Sequence, residues 1–211
     1  MRALEAGSFV ATVELEQGLR EALGRTYGIG RMVHVERQPA LCQSSAAMEE
    51  LSVALDSGAR LELMFKDLSP QSLLEEARGA KPSALYDPRR ELAVYEAILD
   101  RHHLAVPRYY GSVADPARER YWLFIERVPG VAMHQVGEFA VWQDAARALA
   151  RIHRQFAGTA ADIAEAVPLL RYDADWYAQW PRRALAFLRD DARRPALSAS
   201  RLEALQRVQD G

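Results

Sequence analysis

The chain of 211 residues is long enough to hold one large domain or two small ones. Its 49% hydrophobic and 27% charged content is that of an ordinary folded protein, and a net charge of −2 implies no polyanion-binding surface, so no nucleic-acid partner is expected. A single cysteine, Cys42, excludes an intrachain disulfide and a multi-cysteine zinc site and fits a reducing cytoplasm. No stretch reaches the roughly eighteen apolar residues of a membrane helix, and the N-terminus lacks the apolar core of a signal peptide.

In chain order, Thr12 is placed to cap a helix over Val13–Leu23, with Gly24 ending it. Met32–Gln38 alternates with period two, Val33 and Val35 on one face, and reads as a strand. Met48–Leu55 repeats that pattern with Leu51, Val53 and Leu55 aligned. The turn Asp56-Ser57-Gly58-Ala59 then joins it to a strand over 60–66 as a hairpin. Asp87-Pro88 opens a helix running to about Arg101, with Leu92, Tyr95 and Leu99 on its apolar face. Two further strands, Pro107–Val113 and Arg120–Val128, flank the polar turn ADPARER. Past Pro129-Gly130 only helices are expected. Phe139–Phe156 is amphipathic, with Trp142, Ala146, Leu149, Ile152 (or His153) and Phe156 near one stripe. A second helix starts near Asp173 and is kinked or divided at Pro181, and a third runs from Ser198 or Ser200 to about Gln209. This order predicts an α+β fold: a five-stranded antiparallel sheet with one inserted helix, followed by a helical part. The division falls at residues 1–128 and 129–211.

Two places can carry chemistry. Lys66 ends the third strand in LELMFKDL, and Glu91 lies one turn into the inserted helix. A carboxylate that holds the ammonium leaves it poised to bind phosphate oxygens as a point charge. The bland alternative is a surface lysine and a glutamate favoured at a helix start. Leu61, Leu63 and Phe65 share one face of the strand, and Met64 shares the other with Lys66. In YWLFIERVPG an apolar strand turns abruptly out of the sheet. Such an exit exposes backbone groups suited to an adenine edge, at Glu126 and Val128, with Ile125 behind them. It is equally a plain strand-to-loop exit punctuated by Pro-Gly.

The series MFKDL, PRRELAVYEAIL, VPRYYGSV, YWLFIERVPG and WQDAARALARIHRQF resembles the aminoglycoside phosphotransferase and choline kinase-like group, small-molecule kinases of the protein-kinase-like fold. The match runs from about Tyr27 to Phe156, and its specificity lies in the order and spacing of the motifs. The resemblance implies that Lys66 contacts ATP phosphates, that Glu91 orients it, and that residues 126–130 link two lobes and grip adenine. Met64 would lie against the adenine, and Val53 is counted among the nucleotide-binding residues. Ser44 and Ser45, in the loop QPALCQSSAAMEEL, either let backbone amides approach the phosphates or are ordinary hairpin-loop residues. That loop has no glycine, so a GxGxxG cover is absent.

The resemblance also implies a catalytic HxD loop, an asparagine and a metal-binding aspartate. The chain contains no asparagine, and no histidine follows His153. No catalytic residue and no metal ligand is therefore assigned, and magnesium ligands are expected in a missing C-terminal part. His153 reads as a core-facing histidine, His102-His103 as partners of a helix C-terminus, and Asp173 and Asp175 as helix-start caps. Asp190 and Asp191 are expected in solvent. The leading expectation is the ATP-binding part of a phosphotransferase, inactive alone, whose intact form moves the γ-phosphoryl group to a hydroxyl of a small-molecule acceptor. A truncated second lobe leaves apolar surface, so self-association is expected. The alternative is a kinase-like binding or scaffold module without chemistry.

Overall fold

The computed structural model describes residues 10–27, 31–40, 45–74, 77–78, 82–102 and 104–189. The elements are α1 (Thr12–Tyr27), β1 (Met32–Pro39), β2 (Met48–Leu55), β3 (Arg60–Asp67), α2 (Pro88–Val94, continued by a π-helical turn over Tyr95–Leu99), β4 (Tyr109–Asp115), β5 (Arg120–Glu126), α3 (Phe139–Phe156), α4 (Ala160–Ala166) and α5 (Ala174–Arg189). The strands form one antiparallel sheet in the order β1-β2-β3-β5-β4. The expected α+β architecture is present: a kinase-like five-stranded sheet with an inserted helix, then helices only. The chain divides into two compact units, Met1–Pro168 and Leu169–Gly211.

Each sheet face has its own apolar cluster, because side chains alternate across a strand. One face carries Val35, Leu51, Val53, Leu63, Phe65, Trp122 and Phe124, which pack with Leu15, Leu19, Ala22 and Leu23 of α1. Phe65 stacks on Phe124 at 5.3 Å and meets Trp122 edge-on at 5.7 Å. Fully burying a leucine side chain contributes about 1.5–3 kcal/mol, so Leu15, Leu19 and Leu23 together hold α1 on the sheet. The helix comes very close: a Cβ on Gly18 would lie 2.6 Å from the Trp122 ring, so that position admits only glycine without rearrangement. The other face carries Tyr109, Tyr121, Leu123 and Ile125, packed with Leu92 and Tyr95 of α2, with Met64 and Leu99 at the margin.

Several local expectations change. Thr12 does not cap α1; its hydroxyl accepts from Arg37 Nη1 at 3.1 Å, and the helical ladder starts with Leu15 N–H donating to Ala11 O at 3.0 Å. Gly24 lies inside α1, because its missing side chain points into open space and nothing there demands a stop. Val33 is 66% exposed although Val35 is buried; a register shift between Met32 and His34 turns it out of the face it was expected to share. Asp87 does cap α2, accepting from Arg89 N–H at 3.0 Å. Pro181 does not divide α5, which runs through it without a break, and Asp173 accepts from Trp176 N–H at 2.9 Å at its start. The helix α4 was not expected. The segments at Ser198–Gln209 and Asp190-Asp191 lie outside the described residues, as do Cys42, Ser44 and His103.

The helix α3 has the bounds read from its periodicity, yet none of its residues is buried. Ala145, Ala148, Ile152 and Phe156 are half-buried along one stripe, whereas Phe139 and Leu149 are largely exposed. His153 is exposed rather than core-facing, one position round the helix from the half-buried Ile152. His102 meets the Phe156 ring edge-on at 4.9 Å. In the second unit, Trp176 contacts Tyr172 and Trp180 edge-to-face at 5.0 and 5.8 Å.

Candidate functional site

Three residues of β3, Glu62, Met64 and Lys66, stand on the sheet face opposite α1, because Leu63, Phe65 and Asp67 are the buried set. Lys66 lies between Met48 of β2 and Leu123 of β5 in the ladder. Its ammonium donates to Glu91 Oε1, and both side chains are partly buried, 21% and 35% exposed. Glu91 is aimed by the helix that bears it. Asp87 caps the first turn of α2, Pro88 fixes the entry, and Leu92 and Tyr95 seat the helix on Tyr109, Tyr121 and Leu123. That apolar seat excludes water, and burial raises the Tyr95 hydroxyl to about 12, reinforced by the Glu91 charge.

Beside the ion pair lies a cavity of about 440 Å³, whose walls include Ser45, Met48, Lys66, Leu68, Tyr86 and Glu91. Its rim is held by backbone bonds between two loops. Ala47 N–H donates to Ser72 O at 3.2 Å, Leu74 N–H to Ser45 O at 3.0 Å, and Ala46 bridges to Leu73. The second of these loops begins in an Asx-type turn: Asp67 accepts from Ser69 N–H at 3.1 Å, and the Ser69 hydroxyl accepts from Tyr121 N–H at 3.1 Å. Sequence reading passed over this segment, Leu68 to Tyr86, although Asp-Leu-Ser-Pro is a recognisable turn signal.

The structure brings Lys66, Glu91 and Ser45 to one cavity, with Met64 next along the strand and Ile125 opposite it in β5. Ile125 is buried in the α2-side cluster. Glu126 uses its amide N–H on Arg108 O at 2.8 Å, and its carboxylate accepts from Arg108 N–H at 3.0 Å. Val128 is 59% exposed, and among the described residues its N–H meets no partner, which leaves a donor at the end of the strand. Val53 is not brought to the site. It pairs with Leu61, points toward α1 and is fully buried there, so it belongs to the opposite face. Residues directly opposite in a ladder share a face, and Leu61 lies across the sheet from Lys66.

A lysine fixed by a carboxylate at the mouth of a cavity can hold an anion by charge without moving. The same pair suits a metal poorly, because its carboxylate is already engaged by an ammonium. Among the described residues no three His, Cys, Asp or Glu side chains gather to hold a metal ion. None of the described helices is long and apolar enough to cross a membrane.

Residues 53–209, about three quarters of the chain, match a family model described as the phosphotransferase enzyme family. No curated protein and no solved structure matches the chain.

Proposed function

Because the chain belongs to the phosphotransferase enzyme family, the aminoglycoside phosphotransferase and choline kinase-like group, we propose that its sheet unit holds ATP for transfer of the γ-phosphoryl group to a small-molecule hydroxyl. One observation carries the reading: the half-buried Lys66–Glu91 ion pair at the wall of the cavity beside β3. Lys66 binds phosphate oxygens, and Glu91 keeps the ammonium from swinging into solvent. Ser45 lines the phosphate end, Met64 and Ile125 flank the sugar and base, and Glu126 and Val128 border the base edge at the strand exit.

These residues bind and orient; none of them moves a proton from an acceptor hydroxyl. Phosphoryl transfer of this kind uses an aspartate and, in kinases, an asparagine that holds magnesium. The 211 residues contain no asparagine, and no described cluster fits a metal. The same composition favours a second reading, a module that binds nucleotide and a partner without turnover.

Thermal unfolding with and without ATP tests the binding step. A ligand at about a hundred times its Kd stabilises the native state by about 2.7 kcal/mol. ATP is expected to raise the melting temperature of the parent chain and to lose most of that effect in Lys66→Ala and Glu91→Ala. Equal protection of parent and Lys66→Ala would remove this lysine from the site. Phosphate release measured in the same samples is expected to stay at background with the chain alone, and turnover would overturn the absence of catalytic groups.

A further inference from the structure

The sheet surface beyond Met64 is not apolar. Arg127, the first residue past β5, continues the ladder by donating its N–H to Glu62 O at 3.0 Å. Its side chain folds back across the strands, with Nη2 2.8 Å from Glu50 and Nη1 3.3 Å from Glu62. The carboxylates are themselves held, Glu50 by Gln38 Nε2 at 2.9 Å and Glu62 by the Ser52 hydroxyl at 2.8 Å. Glu50 faces Met64 across the ladder and Ser52 faces Glu62, so the network stands on the same face as Lys66. It lines a depression of about 250 Å³ next to the strand exit.

We propose that Arg127 is a specificity-determining residue of the nucleotide site, its guanidinium forming the plane on which the purine stacks. The inference rests on the ATP-binding reading above and names what receives the base. Along β3, Glu62 and Lys66 are four residues, roughly 13 Å, apart. A nucleotide whose phosphates lie at Lys66 passes its sugar over Met64 and brings its base over the Glu62 end, where the strand exit lies. Beyond Met64 and Ile125 the surface there is mainly polar, lined by Glu50, Ser52, Glu62 and Arg127. A guanidinium is planar, weakly hydrated and able to stack on a π-system. Two carboxylates on neighbouring strands hold its edge and fix its position, and 40% of the side chain remains exposed to a ligand. An unpinned arginine would lose rotamer entropy on binding; this one is ordered before the ligand arrives.

The test compares ATP with inorganic tripolyphosphate, which has the charge but no base, by calorimetric titration of the full chain. The parent is expected to bind ATP more tightly than tripolyphosphate. Arg127→Ala is expected to weaken ATP about tenfold and leave tripolyphosphate unchanged, since stacking on one base is typically worth that much. Arg127→Lys, which keeps the charge between Glu50 and Glu62 but not the plane, is expected to behave like Arg127→Ala and guards against a folding defect. Lys66→Ala is expected to weaken both ligands. If ATP binds through Lys66 but both Arg127 variants stay within about twofold of the parent, this proposal fails and the nucleotide reading survives. Equal affinity of the parent for the two ligands would also overturn it. If the parent binds neither, the nucleotide reading fails and takes this inference with it.

Discussion

Asp67 follows the site lysine directly, yet its carboxyl group points the other way and is 3% exposed. Burial pushes its pKa up from the ordinary 3.8, against hydrogen bonds from Ser69, Ser72 and Trp122 that pull it down. A carboxyl whose folded pKa is raised favours the protonated native state. Its contribution to stability is therefore full below the unfolded pKa and is lost as pH rises through the folded one. Asp67→Asn removes the titration and keeps an oxygen for Ser69 N–H. The unfolding free energy of the variant relative to the parent is expected to shift in its favour between about pH 4 and pH 7. Urea unfolding at the two pH values checks this, and an equal difference at both would refute it. The Asp87-Pro88 helix start placed Glu91, while the alternation that buries Asp67 is the rule that made Lys66 legible from the sequence. Applied to the ladder across the Asp56–Ala59 turn, it also assigns Val53 to Leu61 and the α1 face. Arg127 was not legible, because its role depends on a side chain folding back over two other strands.

At the scale of elements, α1 shows how one residue type carries opposite costs on two faces of a helix. A methyl at Gly18 meets the Trp122 ring, so Gly18→Ala is expected to cost about 1–3 kcal/mol through forced repacking. A methyl at Gly24 meets nothing within 4 Å, so Gly24→Ala is expected to stabilise by about 0.5–1 kcal/mol through helix propensity. Chemical denaturation of the two variants checks both signs, and destabilisation by both would mean that Gly24 has a partner. β2, β3 and α3 were readable because a strict period runs through each of them, and β5 because it is a short apolar run bounded by turn signals. The bulge that turns out Val33 and the π turn after Val94 were not, since both arise from how the element packs. The short helix α4 has no apolar stripe long enough to announce itself, and nothing in the local pattern revealed how exposed α3 remains.

At the scale of the molecule, the two sides of the chain differ in how well they bury their apolar residues. The sheet has a packed cluster on each face, whereas α3 has no buried residue despite a well-formed apolar stripe. Phe139 is 73% exposed and Leu149 is 53% exposed, with Val141 and Trp142 beside them on the same helix. Single exposed apolar residues are common, but a contiguous set on one helix is a surface that excludes water when it meets a like surface. The chain is therefore expected to associate with itself as its concentration rises. Sedimentation velocity from low to high micromolar protein measures this, and the weight-average mass is expected to climb. Phe139→Glu with Leu149→Glu places two like charges on that stripe and is expected to restore the monomer. Neither side chain is buried, so the charges disturb no core, and unchanged melting of the variant separates lost association from lost folding. A parent that stays monomeric across the range would show that this stripe is stable in water as it stands.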